Sequence, residues 1–213
     1  MQHTGLAVVE SRWWSDGNDS VRPLFETLAG IVESNPHAVR YDMFAEHNSL
    51  SQIIESLCSS GKIHSIYIGA HGDDVSIHGQ GDASISRTKL RNMFRKANKK
   101  GNVSGLFFGS CLVATNQNAS YWLTKTSSTK LKWIAGYTKN VDWIESSAVD
   151  MIFWSKLLEE RRKNRSRRNN KKTEIEIVKS ASREMKKLMP TIFSEMGFNV
   201  YFNDSSGNID SVW

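Results

Sequence analysis

Short apolar runs alternate along the chain with stretches in which apolar residues recur at helical spacing. Leu6-Ala7-Val8-Val9-Glu10 is the first run and predicts a buried strand. After a polar loop, Leu24, Leu28 and Ile31 mark a helix over 21–34, with Ser20 as its cap, Pro23 in its first turn and Asn35-Pro36 as its stop. Residues 37–44 predict a second strand; Leu50, Ile53, Ile54 and Leu57 then mark a short helix, capped by Asn48 or Ser49 and closed by Gly61. A third strand over 63–70 breaks off at His71-Gly72, and the glycine-bearing stretch 73–82 predicts a loop or small hairpin before a helix over 86–99. The pattern continues with a strand over 103–109 that ends at Ser110-Cys111, a helix near 118–126 and a strand over 131–137. A long amphipathic helix over 143–160, a helix over 174–189 and a strand over 199–202 complete it. Strands alternating with helices imply a mostly parallel sheet covered on both faces. The expected fold is therefore α/β, a three-layer αβα sandwich formed as one domain over 1–213.

Composition narrows the class. Hydrophobic residues make up 39% of the chain and prolines number three, which supports a packed core and excludes collagen-like and disordered chains. Two cysteines cannot form a disulfide framework, no apolar run approaches membrane-spanning length, and the first residues lack a leader pattern, so a cytoplasmic protein is expected. The formal charge of +6 is concentrated: 161–172 holds eight basic residues and no acidic one, leaving the rest of the chain slightly acidic. That tract is expected to be an exposed basic loop over 161–173. Nucleic acid is accordingly a local option there and not the business of the whole domain.

Catalysis in parallel α/β sheets gathers beyond the carboxyl ends of strands. His71 and Cys111 each follow one of the apolar strands, so neighbouring strands would bring an imidazole to a thiol. Such a ring takes the thiol proton and later protonates a leaving amine. Gly72, with no Cβ, lets its N–H approach a substrate carbonyl, and with the N–H of Cys111 it would form an oxyanion hole. The plain alternative is a buried, inert Cys111 and a His71-Gly72 turn. Cys58 offers the comparison, since it sits on the apolar side of a helix with no glycine turn beside it and reads as packing.

At these residues the chain resembles the caspase-like (clan CD) cysteine peptidases, most closely the CHAT domain family. The resemblance lies in Ile66-Tyr67-Ile68-Gly69-Ala70-His71-Gly72 and in Leu106-Phe107-Phe108-Gly109-Ser110-Cys111. It extends to Ile134-Ala135-Gly136-Tyr137, followed by Val141-Asp142 and by Phe153-Trp154. Two features depart from the family: Leu112 follows the cysteine where an acidic residue is common, and no tryptophan precedes Val141-Asp142. The resemblance implies a caspase-like fold and a Cys111–His71 dyad that hydrolyses peptide bonds of a protein substrate through a thioester, with no metal or organic cofactor. It also implies a separate regulatory or targeting protein.

The same resemblance places Asp142 in the wall of the specificity pocket, where a carboxylate would favour Arg or Lys; the alternative role is a helix N-terminal cap. Asp73 and Asp74, beside the dyad, are further substrate-binding candidates. An acidic pocket would also make the basic tract a self-cleavage site. Among the tryptophans, Trp122, Trp133, Trp143 and Trp154 are expected in the core, whereas Trp13-Trp14 lies in a loop that opens on the side of His71 and Cys111, so Trp14 is a candidate substrate contact. Two other classes compete with a peptidase: a catalytically silent peptide-binding module of the same fold, and a basic nucleic-acid-binding protein.

Overall fold

The apolar runs form a seven-stranded sheet. A computed structural model describes residues 3–14, 17, 19–203 and 208–213. The first half contains β1 (Leu6–Glu10), α1 (Arg22–Glu33), β2 (Arg40–Met43), α2 (His47–Ser59) and β3 (Ser65–Gly69). A hairpin of β4 (Ser76–His78) and β5 (Ser84–Ser86) leads to α3 (Arg87–Ala97), β6 (Gly105–Gly109), α4 (Asn116–Leu123) and β7 (Trp133–Tyr137). The last elements are α5 (Trp143–Ser166), α6 (Glu174–Leu188), α7 (Ile192–Met196), β8 (Phe198–Asn203) and β9 (Ile209–Ser211).

The strand order is β2-β1-β3-β6-β7-β8-β9. The first five run parallel, and β8 and β9 are antiparallel additions at one edge. Alternate residues of each strand point to opposite faces, so two cores form. Leu6, Val8, Tyr67, Phe107, Trp133 and Tyr137 face α1, α5 and α6; Ala7, Val9, Ile66, Ile68, Leu106 and Phe108 face α2, α3 and α4. Strands covered on both sides must be apolar throughout, which is why β1, β3, β6 and β7 are unbroken runs of buried residues. The sheet is thus held between two helical layers, as its alternating pattern predicts.

Several boundaries differ from the sequence pattern. Glu46 caps α2 by accepting from Asn48 and Ser49 N–H, and the Ser49 hydroxyl completes the box, so Ser49 is the third residue of the helix and not its cap. The strand β9 follows β8 and was not legible, because three residues of mixed polarity carry no period.

The largest difference is the basic tract. It is not one loop: its first six residues continue α5 to Ser166. Arg161 is buried, and its guanidinium donates to Ser65 Oγ and to the Glu174 carboxylate. Arg165 pairs with Glu33, and Lys172 Nζ lies 2.9 Å from Glu160 Oε2. Tertiary partners convert part of a solvated charge run into a clamp between α5, α6 and β3. Removing one member of a buried pair leaves an uncompensated charge, so Arg161→Ala should cost about 3–5 kcal/mol. Arg168→Ala, on the exposed part of the tract, should cost less than about 0.5 kcal/mol. Urea unfolding of the two variants measures the difference.

Candidate active site

Parallel pairing of β3 with β6 sets Gly69 opposite Gly109. Two residues farther on, the same register brings His71 and Cys111 to one sheet edge, where both line a single cleft of about 490 Å³. The two turns are packed directly together. A Cβ built on Gly72 would lie 3.0 Å from Val113 Cγ2, 3.1 Å from Ser110 Cβ and 3.3 Å from the Cys111 carbonyl oxygen. Only a residue without a side chain lets the histidine turn sit this close to the cysteine turn. Beyond Cys111 the chain turns sharply, with Leu112 at φ 61°, and it is tied to the end of β7 by Leu112 N–H to Lys139 O and Ala114 N–H to Tyr137 O. At this junction the N–H groups of Gly72 and Cys111 have no hydrogen-bond partner among the described residues.

The orientation of the imidazole follows from a chain of contacts that starts at β1. Glu10, the last residue of that strand, is fully buried. Its carboxylate accepts from Trp13 Nε1–H at 2.5 Å, Ser20 Oγ–H at 2.6 Å, Val21 N–H at 2.9 Å and Tyr41 O–H at 2.9 Å. This fixes the loop that carries Trp13, whose carbonyl oxygen lies 2.8 Å from His71 Nε2. A carbonyl only accepts, so Nε2 carries a proton and donates it, while Nδ1 has no hydrogen-bond partner among the described residues. The Cys111 sulfur receives the Val141 N–H at 3.4 Å and lies 3.8 Å from the Val141 carbonyl. Val141 immediately precedes Asp142, the cap of α5, so the sulfur sits at the N-terminal end of that helix.

A second polar group lies beneath the cysteine. Asp150 of α5 is fully buried between Tyr67, whose hydroxyl donates to Oδ2 at 2.8 Å, and Tyr137, whose hydroxyl lies 2.6 Å from Oδ1 and 2.9 Å from the Ser146 carbonyl. Tyr137 has one hydroxyl proton for two acceptors. A protonated Asp150 resolves the count by donating to Tyr137 Oη while Tyr137 donates to Ser146. Burial does push the Asp150 carboxyl up to about 7, against the opposing pull of the two tyrosine hydroxyls. The same Tyr67 hydroxyl would lie 2.0 Å from a Cβ on Gly109, so the network touches the strand that leads to Cys111. On the other side, the buried Asn118 amide donates to Asp74 O at 3.1 Å and to Val113 O at 2.7 Å, stitching the two turns together, while Arg87 holds its oxygen at 2.6 Å.

The sequence candidates fall on both sides of the cleft wall. Asp142 does two jobs, capping α5 through Oδ1 to Ile144 and Glu145 N–H and lining the cleft. Trp14 lines the cleft and is 43% exposed. Trp122, Trp133 and Trp154 are buried in the cores as expected, but Trp143 is not a core residue: it is half-buried and forms part of the cleft, because it opens α5 at the sheet edge. Asp73 and Asp74 lie outside the cleft. Asp73 shapes the β4 turn instead, accepting from Val75 N–H, Ser76 N–H and Ser76 Oγ–H, with His78 Nε2 at 3.0 Å. Partial burial pushes its carboxyl up, but these hydrogen bonds outweigh it and hold the value at about 2. Asp19, not singled out in the sequence, enters the cleft from the polar loop after β1. Glu10 carried a faint signal, a carboxylate closing an apolar strand; Asn118 and Asp150 carried none, since their partners come from distant elements.

At 24 residues, α5 is about 36 Å long. It starts at the cleft and ends in the basic tract, so the formed helix holds the tract away from Cys111 of its own chain. Among the described residues, no group of three or more His, Cys, Asp or Glu side chains is placed to hold a metal ion, and no helix is long and apolar enough to cross a membrane.

The Asp150 network makes stability depend on pH. Its folded-state value of about 7 lies above the ordinary 3.8, so between these limits the folded protein keeps a proton that the unfolded chain releases. The resulting stabilisation is complete below about pH 4 and is lost as pH rises through about 7. Replacing Asp150 by Asn removes the titration, so the Tm difference between wild type and Asp150→Asn should shift against the wild type from pH 4 to pH 7.5, as read by calorimetry. Compared with protein-family models and with curated proteins, the chain matches none, and the chemistry of this cleft therefore rests on its own residues.

Proposed function

We propose that the protein is a cysteine endopeptidase of the caspase-like, CHAT type, with Cys111 as nucleophile and His71 as general base and acid. One observation carries this reading: His71, oriented by Trp13, and Cys111, whose sulfur meets the Val141 N–H, line one cleft from adjacent strand ends whose turns are in contact through Gly72. In the reaction, His71 Nδ1 takes the thiol proton as the sulfur attacks the scissile carbonyl carbon. The resulting oxyanion is received by the free N–H groups of Gly72 and Cys111. Collapse breaks the C–N bond, the imidazolium gives its proton to the departing amine, and a thioester remains. Water, deprotonated by His71, then attacks the thioester; the C–S bond breaks as the imidazolium returns its proton to the sulfur, the acid product leaves and the thiol and imidazole are restored.

A structural cysteine would need none of this apparatus. The buried Glu10 hub fixes a loop whose backbone oxygen meets the imidazole, and two backbone donors beside the sulfur are left unused. A peptide-binding module of the same fold would tolerate their loss.

Cys111→Ala and His71→Ala should each lower peptide cleavage by about a thousandfold or more without shifting Tm, and the double variant should be little worse than either single one, because the two groups act as a unit. Cleavage that persists in Cys111→Ala overturns the reading. Gly72→Ala forces the two turns apart and should reduce kcat by about a hundredfold, the scale of a lost oxyanion donor. Steady-state assays on purified variants give both numbers.

A further inference from the structure

We infer that a second groove, on the histidine side of the dyad, receives the peptide segment that departs with the amine, and that Arg12 there selects an acidic side chain on one of the two residues after the scissile bond. The inference rests on the peptidase reading above and names the leaving half of its substrate. The groove, of about 620 Å³, is lined by Arg12, His78 and the Gly79–Gly81 turn together with Trp13, Trp14 and His71. His71 and the two indoles line both spaces, whereas Cys111 lines only the cleft described above.

The chemistry of the dyad assigns the two sides. The sulfur retains the acyl half of the substrate, while the imidazolium hands its proton to the departing nitrogen, so the chain that follows this nitrogen runs on the histidine side. The groove is built onto the catalytic turn. His78 N–H donates to His71 O at 2.8 Å, and Trp13 and Trp14 meet the His71 ring edge-on with centroids 5.4 and 5.7 Å away.

The two spaces differ in the sign of their charge. Asp19 and Asp142 are the carboxylates of the cleft, but no Asp or Glu among the described residues lines the groove. Arg12 is exposed there and makes no hydrogen bond, ion pair or ring contact among the described residues. Its place in the chain is held by the next residue, since Trp13 is tied through Nε1 to the buried Glu10 and through its carbonyl to His71. Asp73 does not compete for it, because that carboxylate is used on the β4 turn and on His78 Nε2. An unpartnered guanidinium is a planar fork that matches a carboxylate. An acidic side chain is therefore repelled on one side of the indoles and attracted on the other.

The test uses a proteome-derived peptide library with blocked amines, in which each cleavage exposes a new N-terminus whose first residues are read by mass spectrometry. Wild type, Cys111→Ala, Arg12→Ala and Arg12→Glu are compared; Arg12 is exposed, so neither of its substitutions puts folding at stake. Termini that depend on Cys111 should carry Asp or Glu at their first or second residue about two to five times more often in wild type than in Arg12→Ala, the scale of one exposed charge pair. Arg12→Glu should replace this preference with one for arginine, and added salt should weaken both. If Cys111-dependent termini show no acidic preference, or keep it in Arg12→Glu, the leaving-side subsite is overturned and the dyad stands. If no terminus depends on Cys111, the peptidase reading falls and the subsite with it.

Discussion

The rung at which Gly69 of β3 pairs with Gly109 of β6 governs this molecule. Everything placed at the cleft is counted from it. Hydrogen bonding fixes the register of two parallel strands, and each chain then runs two residues to its reactive side chain. The rung also has to be bare. The hydroxyl of Tyr67 occupies the space over Gly109 that a side chain would need, and from there it reaches Asp150 on the covering helix. A shift of one residue along either strand would turn Tyr67 to the other core and separate the histidine from the cysteine.

Two buried carboxyl groups support this edge from different sides. Glu10 accepts four donors and stabilises the loop that orients His71. Asp150 faces two tyrosines in a site closed to water, where its proton is retained to about neutral pH, and it braces β3 and β7 against α5. Between these supports, Asn118 links the turns after β3 and β6, so the reactive residues stand on a surface fixed at three points.

Much of the fold was legible in the sequence. The apolar runs marked β1, β3, β6, β7 and β8, because a strand buried on both faces is dominated by apolar residues. The helices between them followed from apolar spacing, although their caps did not, since Val21 and not Ser20 is the N-cap of α1 and Glu46 that of α2; His71 and Cys111 stood out because each ends such a run. Strand order, the reason the two residues meet, was an inference from fold class; in the structure β3 and β6 are neighbours. The composition of the cleft was harder to foresee. Asp142 was visible, but its two roles were not distinguishable, and one carboxylate performs both. Trp143 looked like core, and Asp19 like one more loop residue. Each was decided by which loop reached the sheet edge, and no local period records that.

The basic tract draws the same line most sharply. Composition alone determined that its charge is local and that the body of the domain is slightly acidic. It did not determine that Arg161 is buried, because burial of a cation depends on Glu174 and Ser65, which arrive from another helix and from a strand far away in the chain. What the sequence determined by itself is whatever follows from short-range spacing: the strands, the helices, the two-sided sheet and the pair of reactive residues at strand ends. What only the tertiary structure decided is which polar groups face one another, and therefore the protonation, orientation and charge of the cleft, since these are set by the three-dimensional distances between groups and not by their separation along the chain.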